Sequence, residues 1–194
     1  IVDFDLLEEV WDKRKKLPDG KIFVLEDKYT GKTYKEKVKE IRAVLKEKGA
    51  DYNIISSLDD IAWVYNFRGC DVIHNPVALS FTIISEKKSI LYINEKKLDK
   101  KTQKYFKDNK VEIKEYFEFF EDIKKLKGNI LVDFNKISYA IYEAIGKNTL
   151  INSMNPSTYL KAHKNETEIA NTKEIHIQDG VAIVKFMYWL KNNY

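Results

Sequence analysis

Hydrophobic and polar positions along the chain change period repeatedly, and each change predicts an element. Ile1 to Trp11 carries apolar residues at helical spacing. Lys13 to Gly20 is basic and closes on Pro18-Asp19-Gly20, a turn signal, so it predicts a linker. Ile22 to Leu25 is a short apolar run. Thr33-x-x-Glu36 has the spacing of a capping box; Val38, Ile41, Ala43 and Leu45 follow as the stripe of a helix that Gly49 stops. Tyr52 to Ile55 predicts a buried strand, and Ser57-x-x-Asp60 starts a short helix through Trp63 and Tyr65.

The second half alternates in the same way. Leu79–Ile84 and Ser89–Ile93 read as two strands joined at Glu86-Lys87-Lys88, a hairpin turn without Gly or Asn. Leu98–Lys107 predicts a helix, Val111–Lys114 a strand and Phe117–Leu126 a helix ended by Gly128. Ile130–Val132 is a strand, Ser138 caps a helix through Ile145, and Leu150 and Ile151 make a last strand. Helices and strands that alternate around one hairpin argue for an α/β domain with a mixed β-sheet flanked by helices. Pro156 opens a helical turn through Ala162. Asn165-x-x-Glu168 then begins a long helix with Ile169, Thr172, Ile175, Ala182, Ile183, Phe186 and Leu190 on one face. It follows the sheet domain and is expected to begin a second one.

Composition narrows the class. Hydrophobic residues are 44% of the 194 positions, which supports a packed core rather than disorder. Lys and Arg number 34 against 30 Asp and Glu, and the two signs alternate, as in "YKEKVKEIRAVLKEKG". That pattern reads as a solvated helix face and not as a nucleic-acid footprint. Cys70 is the single cysteine, so no internal disulfide forms, and a reducing compartment is the expectation. No apolar run reaches the roughly 18–20 residues that span a bilayer, so no membrane contact is expected. The start has no initiator Met and no secretory pattern, and the end falls inside a helical pattern; a fragment is expected.

Catalytic chemistry is hard to assemble from these residues. His74, His163 and His176 are scattered, and His176 with Asp179 offers two donors where a metal site needs more. No G-x-S-x-G or phosphate-cradling glycine motif is present. Cys70 and His74 could form a couple, but a small packing role fits Cys70 better. Asp133 at a strand end reads as a turn or cap residue, and the aromatics of "EYFEFFEDI" as core. The stretch "DDIAWVYNFRGCDVIHNPV" is richer. Trp63, Tyr65 and Phe67 alternate as on one side of an extended segment, while Trp63 and Phe67 could also share a helix face. Gly69 offers a backbone turn that other residues resist, and Pro76 biases Asn75 to extended geometry. Such a loop can fix Arg68, Asp71 and His74. An Arg68–Asp71 salt bridge and a ligand-binding role are both open on the chemistry alone.

"SLDDIAWVYNFRGCDVIHNPVALSFTII" closely resembles the middle domain of eukaryotic three-domain X-prolyl aminopeptidases. Asp60, Ile61, Ala62, Trp63, Asn66, Arg68, Gly69, Asp71, Val72, Asn75, Pro76 and Val77 match that family's pattern, with Cys70 where Ser is usual. "YTGKTYKEKVKEIR" resembles the entry into the second domain, and "KNETEIANTKEIHIQDGVAIVKFMYWL" the first catalytic helix. The resemblance implies a creatinase/prolidase N-terminal-domain-like fold followed by the start of a pita-bread domain. Residues 1–30 would be the tail of a preceding domain and linker, 31–163 the second domain and 164–194 the start of the catalytic one. It further implies removal of an N-terminal residue that precedes proline, proline-containing peptides as substrates, two manganese ions, a homodimer and a cytoplasmic setting, with a peptide-digesting organelle as the other compartment. The family's ligands, two Asp, one His and two Glu, lie beyond that first helix and carry over to no position here, so no catalytic or metal residue is assigned and this portion alone is expected to be inactive. Arg68, Asp71, His74 and Asn75 are the expected cleft-edge, substrate-binding residues. The competing expectation is a pseudo-enzyme, a protein-binding module like the histone-chaperone subunits that share the pita-bread fold.

Overall fold

A computed structural model of the chain describes Leu7, Val10, Trp11, Lys13, Arg14 and residues 16–194. The helix expected over Ile1–Trp11 thus lies outside the described residues except at its end, where the Trp11 N–H donates to Leu7 O at 2.9 Å. Residues 16–22 form no helix or strand.

The elements that follow are β1 (Phe23–Val24), α1 (Asp27–Thr30), α2 (Tyr34–Glu47), β2 (Tyr52–Ile55), α3 (Leu58–Val64) and β3 (Phe67–Arg68). Then come β4 (Ser80–Ser85), β5 (Ser89–Ile93), a 3-10 turn (Glu95–Lys97), α4 (Lys100–Asp108), β6 (Glu112–Lys114) and α5 (Glu118–Ile123). The last are β7 (Asn129–Val132), α6 (Tyr139–Ile145), β8 (Thr149–Asn152), α7 (Pro156–Ala162) and α8 (Glu166–Asn193). Both capping boxes form: the Thr33 side chain accepts from Glu36 N–H, and Asn165 from Glu168 N–H, each with the reciprocal bond. Such reciprocal caps satisfy two orphan amides at a helix start.

Six strands make one mixed sheet in the order β6-β5-β4-β2-β7-β8. The β4–β5 hairpin and the β2–β4 pair are antiparallel; β5–β6, β2–β7 and β7–β8 are parallel. The hairpin closes without Gly because the Ser85 hydroxyl accepts the Lys88 N–H at 3.1 Å while the Ser85 N–H donates to Lys88 O. Side chains alternate across the sheet, as strand geometry requires. Ile55, Leu91 and Leu131 face one apolar layer under α2, α3 and α4; their chain neighbours Ile54, Tyr92 and Val132 face the other, with Phe119, Ile123, Ile141 and Ile145 of α5 and α6. Of the aromatics of "EYFEFFEDI", Phe119 and Phe120 belong to that second layer, where Phe81 stacks on Phe119 at 4.2 Å, whereas Phe117 is exposed against the expectation. Asp133 serves a turn, accepting the Asn135 N–H.

Three short elements, β1, α1 and β3, escape the periodic pattern. β1 pairs antiparallel with β3, and α1 is a single turn that docks on α8. The long α8 buries none of its residues. Beyond the expected face, Ile177, Val181, Val184, Met187 and Trp189 are exposed too, so its second half is apolar all round. No helix among the described residues is long and apolar enough to cross a membrane.

Candidate functional site

The alternating aromatics do not lie on one extended segment, although all three enter the same apolar layer. Trp63 lies in α3, Tyr65 caps its end and Phe67 begins β3, because Asn66 between them takes a left-handed φ of 53° and breaks the period. All three are buried: Tyr65 stacks on Tyr34 at 5.2 Å, and Phe67 meets Phe106 edge-on. Asn tolerates that φ better than most residues, and its amide repays it, donating to Lys32 O at 2.9 Å and accepting from Lys37 Nζ at 2.5 Å.

Lys37 is the unexpected member. It sits on the buried stripe of α2, between Tyr34 and Ile41, and is 1% exposed. Its ammonium donates to Trp63 O at 2.9 Å and lies 4.2 Å from the centre of the Trp63 ring. Burial pulls its pKa down to about 8, with Glu168 opposing and Arg68 and Lys32 reinforcing the fall. The Trp63 indole N–H donates to Glu168 Oε1 at 3.3 Å, and the other Glu168 oxygen accepts from the Asn165 N–H, so the α8 capping box is wired into α3.

Arg68 stands at the root of the following loop. Its Nη1 donates to Phe67 O at 2.8 Å and Ala62 O at 3.3 Å, and burial lowers its pKa while Glu168 opposes. It does not pair with Asp71, as one reading of the sequence allowed. The Asp71 carboxylate instead accepts from Lys97 Nζ at 2.6 and 2.7 Å and from the Leu79 N–H at 2.7 Å. The Asp71 and Lys97 side chains are 0% and 1% exposed, and Lys97 also donates to Pro18 O at 2.5 Å. Asp71 therefore fastens the loop to the 3-10 turn and the linker. The tip is different: Val72 bridges Asn75, His74 has a φ of 62°, and both His74 and Asn75 are exposed beside Ile73. Gly69 has no positive φ; a Cβ there would come within 2.8 Å of Ala78 Cβ and 2.9 Å of Val77 O. Close approach of the two loop arms, not turn conformation, demands glycine. Cys70 is exposed instead of packed.

The structure thus separates the four candidate residues. Arg68 faces a pocket of about 170 Å³ with Lys37, Trp63, Asn66, Lys164 and Glu168; Asp71 is an internal anchor; His74 and Asn75 form an outer tip. Lys37 could have been found from its place on an apolar stripe. Lys97, in a single turn without periodicity, gives no such signal. Among the described residues no three His, Cys, Asp or Glu side chains gather as a metal-holding group. His176 is exposed on α8, its Nδ1 2.8 Å from Thr172 O.

The family model described as "Creatinase/Prolidase N-terminal domain" matches residues 13–168. The chain belongs to the creatinase/prolidase N-terminal domain family. Xaa-Pro aminopeptidase 1 of Dictyostelium discoideum is 40% identical over 177 residues, which cover 90% of this chain and 28% of that protein. The crystal structure of an X-prolyl aminopeptidase from Caenorhabditis elegans, a cytosolic enzyme with a di-nuclear active site, superposes with a TM-score of 0.90 at 29% identity, over 98% of this chain and 32% of that one. A Xaa-Pro dipeptidase from Bacillus anthracis shares the fold, with a TM-score of 0.53 at 17% identity over 71% of this chain and 38% of that one. The chain spans about a third of the length of these relatives. The creatinase/prolidase N-terminal fold is therefore the mixed sheet with its two helical layers.

Proposed function

We propose that this chain is the non-catalytic portion of a dimetal X-prolyl aminopeptidase, which hydrolyses the bond between an N-terminal residue and a following proline. The observation that carries this reading is the superposition on the nematode aminopeptidase over 98% of the chain, α8 included. Residues 1–30 end a preceding domain, 31–163 form the second domain, and 164–194 begin the catalytic one. The apolar circumference of the second half of α8 supports that boundary, because a helix apolar on all sides is built to be buried.

In the whole protein two manganese ions would supply an activated water for peptide hydrolysis, held by residues other than those described above. This portion alone holds none and is inactive. Its role is to wall the substrate cleft: the loop from Arg68 to Asn75 borders that cleft, with Asp71 fixing its root and His74 and Asn75 forming its rim. The substrates are proline-containing peptides, the assembly is a homodimer, and the setting is cytoplasmic.

The test is release of the first residue from an X-Pro-X peptide by full-length protein, before and after chelation and with Mn²⁺ restored. Metal-dependent release is expected, and none from residues 1–194 alone. Intact full-length protein without metal-dependent release would overturn the enzyme reading in favour of a protein-binding pseudo-enzyme.

A further inference from the structure

The pocket at the seam of α2, α3 and α8 has a charge balance that its structural role does not need. Lys37, Arg68 and Lys164 line it, against the single carboxylate of Glu168. Among the described residues neither Lys37 nor Arg68 makes an ion pair; both spend their recorded bonds on neutral oxygens. Glu168 is already engaged by the Trp63 indole and the Asn165 N–H. Glu168 is the one carboxylate that acts on the buried Lys37 and the half-buried Arg68, so the three cations leave the pocket with net positive charge that an anion would offset.

The Arg68 guanidinium retains donors. Only Nη1 bonds to the protein, and neither Nε nor Nη2 is among the buried atoms left without a partner, so both retain solvent access on a residue that lines the pocket. A planar fork of this kind matches a carboxylate in bidentate geometry. Leu25, Tyr29 and the Trp63 ring give the pocket an apolar side, beside the neutral polar Thr30, Asn66 and Thr172. A volume of about 170 Å³ admits a small molecule and excludes a nucleotide.

We propose that this pocket binds a small carboxylate carrying a short apolar group, with the carboxylate on Arg68, Lys164 steering it from the rim, and the hydrocarbon against Leu25, Tyr29 and Trp63. Lys37 supplies positive potential from below the floor. The carboxylate of a free short-chain acid and the C-terminal carboxylate of a short peptide share this chemistry. The proposal concerns the chain itself and does not rest on the peptidase reading.

Calorimetric titration of the 194-residue chain tests it, with propionate, N-acetyl-dialanine, the C-terminal amide of that peptide, and inorganic phosphate as probes. Saturable binding of propionate is expected, with the amide at least about tenfold weaker than the free acid. Tighter binding of the peptide acid than of propionate would assign the site to peptide C-termini, and the reverse to free acids; either supports the site. Arg68→Gln should weaken binding about tenfold or more. Should that variant unfold, Lys164→Glu keeps the test alive, because Lys164 is exposed and its reversal should cost several-fold in affinity. No saturable binding, equal binding of acid and amide, equal or tighter binding of phosphate, or binding unchanged in folded Lys164→Glu would each overturn the proposal.

Discussion

Lys97→Met removes the cation from the Asp71–Lys97 pair and leaves its volume almost filled. The wild-type ammonium donates to both Asp71 oxygens and to Pro18 O, and neither side chain is more than 1% exposed. After substitution the carboxylate keeps only the Leu79 N–H, a single neutral donor for a full buried charge. Breaking a buried pair from one side costs about 3–5 kcal/mol, because the uncompensated charge remains. For a chain of this size that lowers the melting temperature by about 10 °C. Chemical unfolding followed by far-ultraviolet circular dichroism and tryptophan fluorescence, with coincident transitions, reads the loss. Asp71→Leu alone should also be costly, since it strands the ammonium. The double variant Lys97→Met/Asp71→Leu should lose less than the sum of the singles by about 2 kcal/mol or more. A single-variant loss below about 1 kcal/mol, the range of exposed pairs, or additive losses in the cycle, would refute the view that this pair fastens the loop.

Lys37→Met tests the buried ammonium through pH. Its folded pKa is lowered to about 8 from the ordinary 10.5, so between those values the unfolded chain holds more protons and the wild type gains stability as pH rises. Below pH 8 the fold bears the full cost of the buried charge. The stability difference between wild type and Lys37→Met should therefore move in favour of wild type from about pH 8 to 10.5, in a background set by Glu168, Asp27, Arg68 and Lys32; a flat difference in paired denaturant titrations would contradict it. Gly31→Ala should destabilise by more than about 1 kcal/mol, since Gly31 has φ +64° and its new Cβ would strike Asn165 Oδ1 and come within 2.7 Å of Thr167 Cβ. Gly49 has the same φ with nothing within 4 Å, so Gly49→Ala reads the backbone cost alone, and equal losses at the two sites would deny the α1–α8 contact.

Periodic elements were readable because burial imposes their period. α2, with its stripe and capping box, follows the sequence closely, and so do β2, β4 and β5. α1, β1 and β3 are too short to carry a period. The loop was legible in its frame and not in its wiring. Arg68 and Asp71 are three residues apart and opposite in charge, which suggests a local pair. Yet the partner of Asp71 lies 26 residues away, and no local rule relates Asp71 to a lysine in a 3-10 turn.

A lysine on the buried stripe of a helix is the more useful lesson, because it breaks the local pattern without a local reason. Lys37 costs the fold a desolvated charge where an aliphatic side chain would fit the stripe. What it obtains is a connection: Asn66 in its left-handed turn, Trp63 above the ammonium, and through Trp63 the Glu168 cap of α8. That chain of contacts joins the sheet domain to the helix leading away from it. If Lys37 were only a desolvated charge, Lys37→Met would stabilise the chain at neutral pH and change nothing at the seam. If it holds the seam, the same variant should also loosen the Trp63–Glu168 contact, read as faster amide exchange in the first turn of α8. Stabilisation with unchanged exchange there would leave the seam to Asn165 and Gly31.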